Sequence, residues 1–199
     1  MAPLPPAAVS TTLRDMTTDL AISAWLRRGE SLGDRILKLD HAGENGAVHI
    51  YAGQIVVARW QAPELVADLA DFQLHERRHR ALFGAEIDSR AQKRCKSFRL
   101  CAVGGFALGL VSGLLGRSAI AATTVAVESV VLRHLRQQIA VLNTSDARAA
   151  RVIADIVAEE TAHHDRFEAM PGSGPVLAPI VTAVVSASTE LVIWLGMRL

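Results

Sequence analysis

ESVVLRHLRQQI, residues 128–139, aligns without a gap on ENGAVHIYAGQI, residues 44–55, at a constant offset of 84. Glu, Gln and Ile coincide at 44/128, 54/138 and 55/139, and Asp71 falls on Asp155 at the same offset. Glu128 is the one ionisable group in the run AATTVAVESVV, residues 121–131. A carboxylate buried in such surroundings without a partner either costs much stability or gives up its charge. The repeat shows where partners are to be sought.

Glu76 lies 32 residues after Glu44, and Glu160 lies 32 residues after Glu128. Each of the later glutamates opens a Glu-x-x-His pair, Glu76 with His79 in HERRH and Glu160 with His163 in EETAHHD. On a helix, positions i and i+3 share a face, so each pair can aim two donors at one point. One glutamate from each of two helices, and a Glu-x-x-His from each of the other two, is the donor set of a dinuclear carboxylate centre. Four carboxylates and two imidazoles suit a pair of divalent irons or manganese and leave coordination positions open for dioxygen. The spacing therefore selects Glu44, Glu76, His79, Glu128, Glu160 and His163 as metal ligands and as the catalytic set. His134, Asp40 and His41 are expected around that site, supporting ligands or facing substrate.

HERRH also matches the His-Glu-x-x-His helix of zinc proteases, with His75 and His79 on zinc and Glu76 as base. That reading leaves Glu44, Glu128 and the second Glu-x-x-His without a role. Structural alternatives exist for single residues: an ion pair of Glu128 with Arg133, a solvated Glu159–Glu160 pair, a surface position for His163 or His164. None accounts for the repeated spacing.

The rest of the chain reads as all-α. Helical periodicity is frequent and period-2 strand runs are absent from the pattern. Helices are expected over residues 32–60, 63–88, 100–116, 118–142 and 147–169, with a last helix running to Leu199 after the PGSGP break at 171–175. An amphipathic segment is expected near 11–28. Gly43, Gly46 and Gly53 weaken the first long helix by up to about 1 kcal/mol each, which suggests close approach of another backbone or of a ligand. Residues 1–31 are assigned to a leader with a short amphipathic helix and 32–199 to one domain, a length sufficient for a substantial core.

Half of the 199 residues are hydrophobic, only 5% are aromatic, and mean hydropathy is +0.25. A formal net charge of +1 provides no general attraction to nucleic acid. Cys95 and Cys101 match neither zinc nor redox spacing and read as reduced thiols. The N-terminus has no basic region followed by an apolar one, so it does not read as a secretory signal. Residues 100–116 and 174–197 are apolar enough to raise the membrane question. They fit either buried helices of a bundle or helices lying partly in one leaflet. Arg90, Lys93, Arg94, Lys96 and Arg99 precede the first of these stretches and form either a solvated linker or a contact for anionic lipid.

LDHAGENGAVHIYAGQ (39–54), TVAVE (124–128), EETAHHD (159–165) and the closing LGMRL resemble the demethoxyubiquinone hydroxylases, di-iron monooxygenases of ubiquinone biosynthesis. The resemblance runs from about residue 33 to the C-terminus. It implies a ferritin-like four-helix bundle with additional apolar, membrane-facing helices, peripheral on the cytoplasmic face of the inner membrane. It also implies two iron ions, dioxygen as co-substrate, an external reductant and a polyprenyl quinol whose ring is hydroxylated. Other proteins of ubiquinone biosynthesis and a second copy of the chain are further partners in that picture; nucleic acid is not. The family's iron ligands fall on the six residues that spacing selects. Three positions depart from its pattern: Asn45 stands where Tyr usually follows the ligand, Leu135 where Tyr follows His134, and Lys38 where Arg precedes the Asp-His pair. Tyr51 is the one tyrosine in the chain. A diverged, non-catalytic protein that binds quinone or lipid in the same bundle is the alternative reading.

Overall fold

A computed structural model describes residues 24–168 and 177–199. Six α-helices follow one another: α1 (Leu32–Gln61), α2 (Val66–Ser89), α3 (Phe98–Leu114), α4 (Arg117–Ser145), α5 (Ala147–Glu168) and α6 (Leu177–Gly196), and no strand occurs among the described residues. The fold is an all-α, ferritin-like bundle, as the sequence implies. Ser31 starts α1 with a capping box, its Oγ accepting from Asp34 N–H while its own N–H donates to the Asp34 carboxylate, both at 3.0 Å. Pro63 opens the short 3-10 turn Pro63–Leu65 that reverses the chain into α2.

α1 pairs with α2 and α4 with α5, and the two pairs face each other across the bundle. The remaining helices attach symmetrically: α3 lies along α1 and α6 along α4. Each helix pair thus carries one further helix against its first member. Two apolar clusters fill the ends of the bundle, one around Ile36, Phe83, Ile87, Leu142 and Ile153, the other around Ala58, Leu69, Phe72, Ile120 and Phe167. The six acidic and histidine positions lie between these plugs in the register of all four bundle helices.

The glycines of α1 resolve into two uses. A Cβ on Gly105 would stand 2.3 Å from Gly46 O, and one on Gly109 only 2.1 Å from Ile50 O, so α3 rides on α1 backbone to backbone. A Cβ on Gly43 would meet nothing within 4 Å, because Gly43 borders a cavity. Of the two alternatives raised by sequence, close approach of a backbone occurs at Gly46 and Gly53, and Gly43 instead borders open space.

Of the expected amphipathic segment at 11–28, residues 11–23 lie outside the described residues, as does the 171–175 break. Residues 24–30 are not helical. Gly29 turns with φ +77°, and Trp25 N–H is drawn instead to Met197 O at 2.9 Å, which ties this segment to the end of α6. α4 and α6 are long and apolar enough to cross a membrane by length and composition, α4 being half buried inside the bundle and α6 having few fully buried residues, the rest half-buried or exposed. Leu100, Val103, Val111 and Leu114 on α3, with Ile180, Val184, Leu191 and Trp194 on α6, add exposed apolar surface.

Candidate metal centre and adjoining cavity

Glu44 from α1, Glu76 and His79 from α2, Glu128 from α4, and Glu160 and His163 from α5 are all buried, none more than 6% exposed. They form two overlapping groups. One donor atom each from Glu44, Glu76, His79 and Glu160 lies within 4.8 Å of the others, and the same holds for Glu76, Glu128, Glu160 and His163. Glu76 and Glu160 belong to both. All six residues selected by spacing thus meet at one place.

The electrostatics of the cluster call for a cation. Burial, and then the Glu76 charge, pushes the Glu44 carboxyl well above its usual range. Burial, and then Glu160, does the same to Glu128. Burial would raise Glu76 also, but the adjacent His163 and His79 imidazoles outweigh it and hold this carboxyl down to about 2. Burial lowers His79, yet Glu160 and Glu76 prevail and bring it up to about 10. Four carboxylates are thus held together with only imidazoles to balance them. Glu76 Oε1, Glu160 Oε1, His79 Nδ1 and His163 Nδ1 are buried without a hydrogen-bond partner, though His79 Nδ1 lies 2.8 Å from Glu160 Oε1. Polar atoms left so in a packed interior demand an explanation. Metal ions held between them would satisfy all four, and the donor set fits this role.

The outer nitrogen of each imidazole is held from behind. Glu159 Oε2 approaches His79 Nε2 at 3.2 Å, and His75 Nδ1 approaches His163 Nε2 at 2.8 Å. Such partners fix ring orientation and tautomer. Sequence reading treated Glu159 as half of a solvated pair and His75 as a rival zinc ligand; both instead brace the cluster from outside. Tyr51 was also missed. Its OH donates to Glu128 Oε1 at 3.2 Å from a nearly buried position. The signal was present, since Tyr51 lies seven residues after Glu44 and hence on the same helical face. Arg133, the sequence candidate for pairing with Glu128, pairs with Glu190.

A cavity of about 470 Å³ runs from the cluster between α1, α3, α4 and α6. Glu44, Glu76, Glu128 and Glu160 border one part of it, and Leu39, Ile50, Val127, Val131, Leu135 and Ile193 supply apolar wall. Leu100 and Val192, both partly exposed, connect it with the apolar surface of α3 and α6. Besides Glu76 Oε1 and Glu160 Oε1, three further unpartnered buried polar atoms belong to lining residues: Asp40 Oδ2, Gln138 Oε1 and His134 Nδ1. Gln138 donates to Asp40 Oδ1 at 3.0 Å, and burial raises Asp40 to about 7. His134 Nε2 meets Glu190 at 2.9 Å. Asp40 and His134 therefore face the cavity, whereas His41 does not. It turns to the other side of α1 and packs on Phe98 with ring centroids 4.8 Å apart. Cys95 and Cys101 are buried free thiols, and Lys38 is engaged by Glu30 and Gln92.

Fold and site together define a ferritin-like helical bundle with a buried carboxylate–histidine cluster open to an apolar cavity. Within that class, residues 31–196 match the family model described as "Ubiquinone biosynthesis protein COQ7", and the chain belongs to this family. It is 34% identical over 170 residues to the NADPH-dependent 3-demethoxyubiquinone 3-hydroxylase, mitochondrial, of Dictyostelium discoideum, covering 83% of this chain and 76% of the relative. It is 32% identical over 168 residues to the 3-demethoxyubiquinol 3-hydroxylase of Rhodospirillum rubrum, covering 84% and 79%. The NADPH-dependent 3-demethoxyubiquinone 3-hydroxylase, mitochondrial, of Homo sapiens is 31% identical over 172 residues, covering 83% and 77%.

Proposed function

We propose that the protein is a di-iron monooxygenase that hydroxylates the ring of a demethoxyubiquinol-type polyprenyl quinol in ubiquinone biosynthesis. The observation that carries this reading is the apolar cavity bordered by four carboxylates of the cluster. A quinol head has room there beside the metal donors, and its isoprenoid tail follows the apolar walls toward α3 and α6.

Glu44 with His79, and Glu128 with His163, would each hold one iron, and Glu76 and Glu160 would be shared between the two. The irons would supply the activation of dioxygen. One oxygen atom enters the ring C–H bond and the other leaves as water, with two electrons and two protons from an external reductant. The names of two relatives, both NADPH-dependent hydroxylases, point to NADPH as its source. The chain's own groups position and shield. Asp40 Oδ2 and Gln138 Oε1 accept hydrogen bonds from ring hydroxyls, since they are unpartnered acceptors in an apolar enclosure. Leu135, Val131 and Ile50 exclude water from the reacting face. Tyr51 orients Glu128, and Glu159 and His75 orient the two imidazoles.

The domain assignment belongs to the same reading, with residues 32–199 as the catalytic domain and 1–31 as a leader. The exposed apolar helices seat the protein peripherally on the cytoplasmic face of the inner membrane, α6 and α3 downward. The deciding experiment is a deletion strain. It accumulates a demethoxyquinone, the wild-type gene relieves this, and Glu128→Ala does not. An unchanged quinone profile in the deletion strain removes the proposal.

A further inference from the structure

A second cavity, of about 550 Å³, lies on the opposite side of α1 from the proposed substrate space. His41, Asn45, Arg80, Asp88, Arg94 and Phe98 are among its lining residues. Its composition is the reverse of the first cavity, polar and cationic, and the oxidation chemistry makes no use of it.

The two arginines share one cavity and, like several others such as Arg59, Arg77, Arg117 and Arg136, differ from the carboxylate-paired arginines of the bundle. Arg35, Arg78, Arg90, Arg133, Arg148 and Arg166 each hold a carboxylate. Among the described residues, Arg80 and Arg94 hold none. Arg80 Nη1 donates to Asn45 Oδ1 at 2.8 Å, and Asn45 in turn donates to Phe98 O at 2.8 Å. This relay fixes one prong of the Arg80 fork and leaves the others uncommitted. Arg94 lies over the Phe98 ring at 5.0 Å from its centroid. His41 is 3% exposed, its Nδ1 has no hydrogen-bond partner, and a Cβ on Gly84 would approach its Nε2 to 3.3 Å. Burial, then Arg94 and Arg80, lowers His41 to about 4, so it is neutral at physiological pH. Asp88 is the one carboxylate among the lining residues, and two guanidinium groups exceed it in charge.

Planar guanidinium forks that lack carboxylates match a tetrahedral oxyanion in charge and geometry. A neutral imidazole can add one further donor. We infer that this cavity, bounded by Arg80, Arg94, His41 and Asn45, is a binding site for a phosphoryl group. Two sources present that chemistry here: a lipid headgroup, since Phe98 begins the helix whose exposed face is apolar, and a soluble phosphate or phosphate ester such as a dinucleotide. The inference is independent of the di-iron reading.

Inorganic phosphate, titrated calorimetrically into the full-length, iron-loaded protein, tests it. Wild type shows saturable binding. Arg80→Gln and Arg94→Gln each weaken it about tenfold or more, the loss of one charge-assisted contact. Arg77→Gln, on the same helix but outside the cavity, changes it less than about twofold. Arg94 is exposed on the segment before α3, so its variant keeps the test decisive if Arg80→Gln fails to fold. Displacement of phosphate by phosphatidylglycerol vesicles but not by phosphatidylcholine assigns an anionic lipid headgroup. Displacement by NADPH assigns a soluble ester, and displacement by neither assigns free phosphate. No saturable binding, or equal binding by Arg94→Gln and Arg77→Gln, overturns the site.

Discussion

Glu76 and Glu160 contribute to both donor groups of the cluster, whereas Glu44 and Glu128 contribute to one each. This asymmetry separates residues of identical type and similar burial. Removing a shared carboxylate strips a donor from both positions, and Glu76→Ala or Glu160→Ala therefore loses nearly all iron. Glu44→Ala removes a donor from one position only and retains about one iron per chain, held by Glu76, Glu128, Glu160 and His163. Iron analysis of the purified variants, with circular dichroism to verify the fold, measures the difference. Equal losses in Glu44→Ala and Glu76→Ala would contradict the sharing. The residue scale also accounts for two of the family departures. Asn45 is small and polar where the pattern has tyrosine, and it aims Arg80 into the second cavity. Leu135 contributes apolar wall to the first cavity, so the phenol that the family places there is replaced by hydrocarbon.

At the scale of elements, the contact between α1 and α3 depends on missing side chains. Gly105, Gly109 and Gly113 recur every fourth residue and face Gly46, Ile50 and Val57. Gly109→Ala forces α3 away from the Ile50 carbonyl and destabilises by about 1–3 kcal/mol, the usual range for overpacking. Gly104→Ala lies on the same helix with nothing within 4 Å and stabilises by up to about 1 kcal/mol through helix propensity. Denaturant unfolding compares the two, and equal effects would refute the close approach. Much of this level was legible in sequence. The bundle helices begin and end close to the expected positions because caps, prolines and apolar periodicity are local signals. The six cluster residues were legible because their spacing repeats. The roles of Tyr51, His75 and Glu159 were not, since which neighbour meets an imidazole or carboxylate depends on how two helix pairs rotate against each other. Gln54 and Gln138 illustrate the same limit. They coincide in the repeat, yet one bonds Ser112 inside the α1–α3 interface and the other bonds Asp40 at the cavity wall. The side of α1 taken by His41 likewise follows from where Phe98 and Gly84 are placed.

In the whole molecule, the helices within each pair touch far more extensively than the two pairs touch each other. The carboxylate cluster sits at that thinner junction, so metal ions bound there would act as a staple between halves. Without metal, the junction holds mutual repulsion that depends on pH. Glu44 and Glu128 have folded values raised above the ordinary 4.5, so from about pH 4.5 upward the folded chain binds more protons than the unfolded one. Stability then falls as pH rises. His79, raised from 6.5 to about 10, acts in the same direction: its contribution is complete below pH 6.5 and is lost toward pH 10. Glu76, lowered to about 2, has the opposite sign, but its contribution is already complete above pH 4.5. The metal-free protein is accordingly less stable at pH 8 than at pH 6. Ferrous ion reverses the trend in its own contribution, because the ligands must shed protons to bind it and affinity rises with pH. Thermal unfolding under anaerobic conditions, with chelator or with saturating ferrous ion, measures both effects. The gap in Tm between loaded and metal-free protein widens from pH 6 to pH 8, and it collapses in Glu76→Ala at both. A gap that narrows with pH, or one that Glu76→Ala preserves, would mean that the cluster is not the staple.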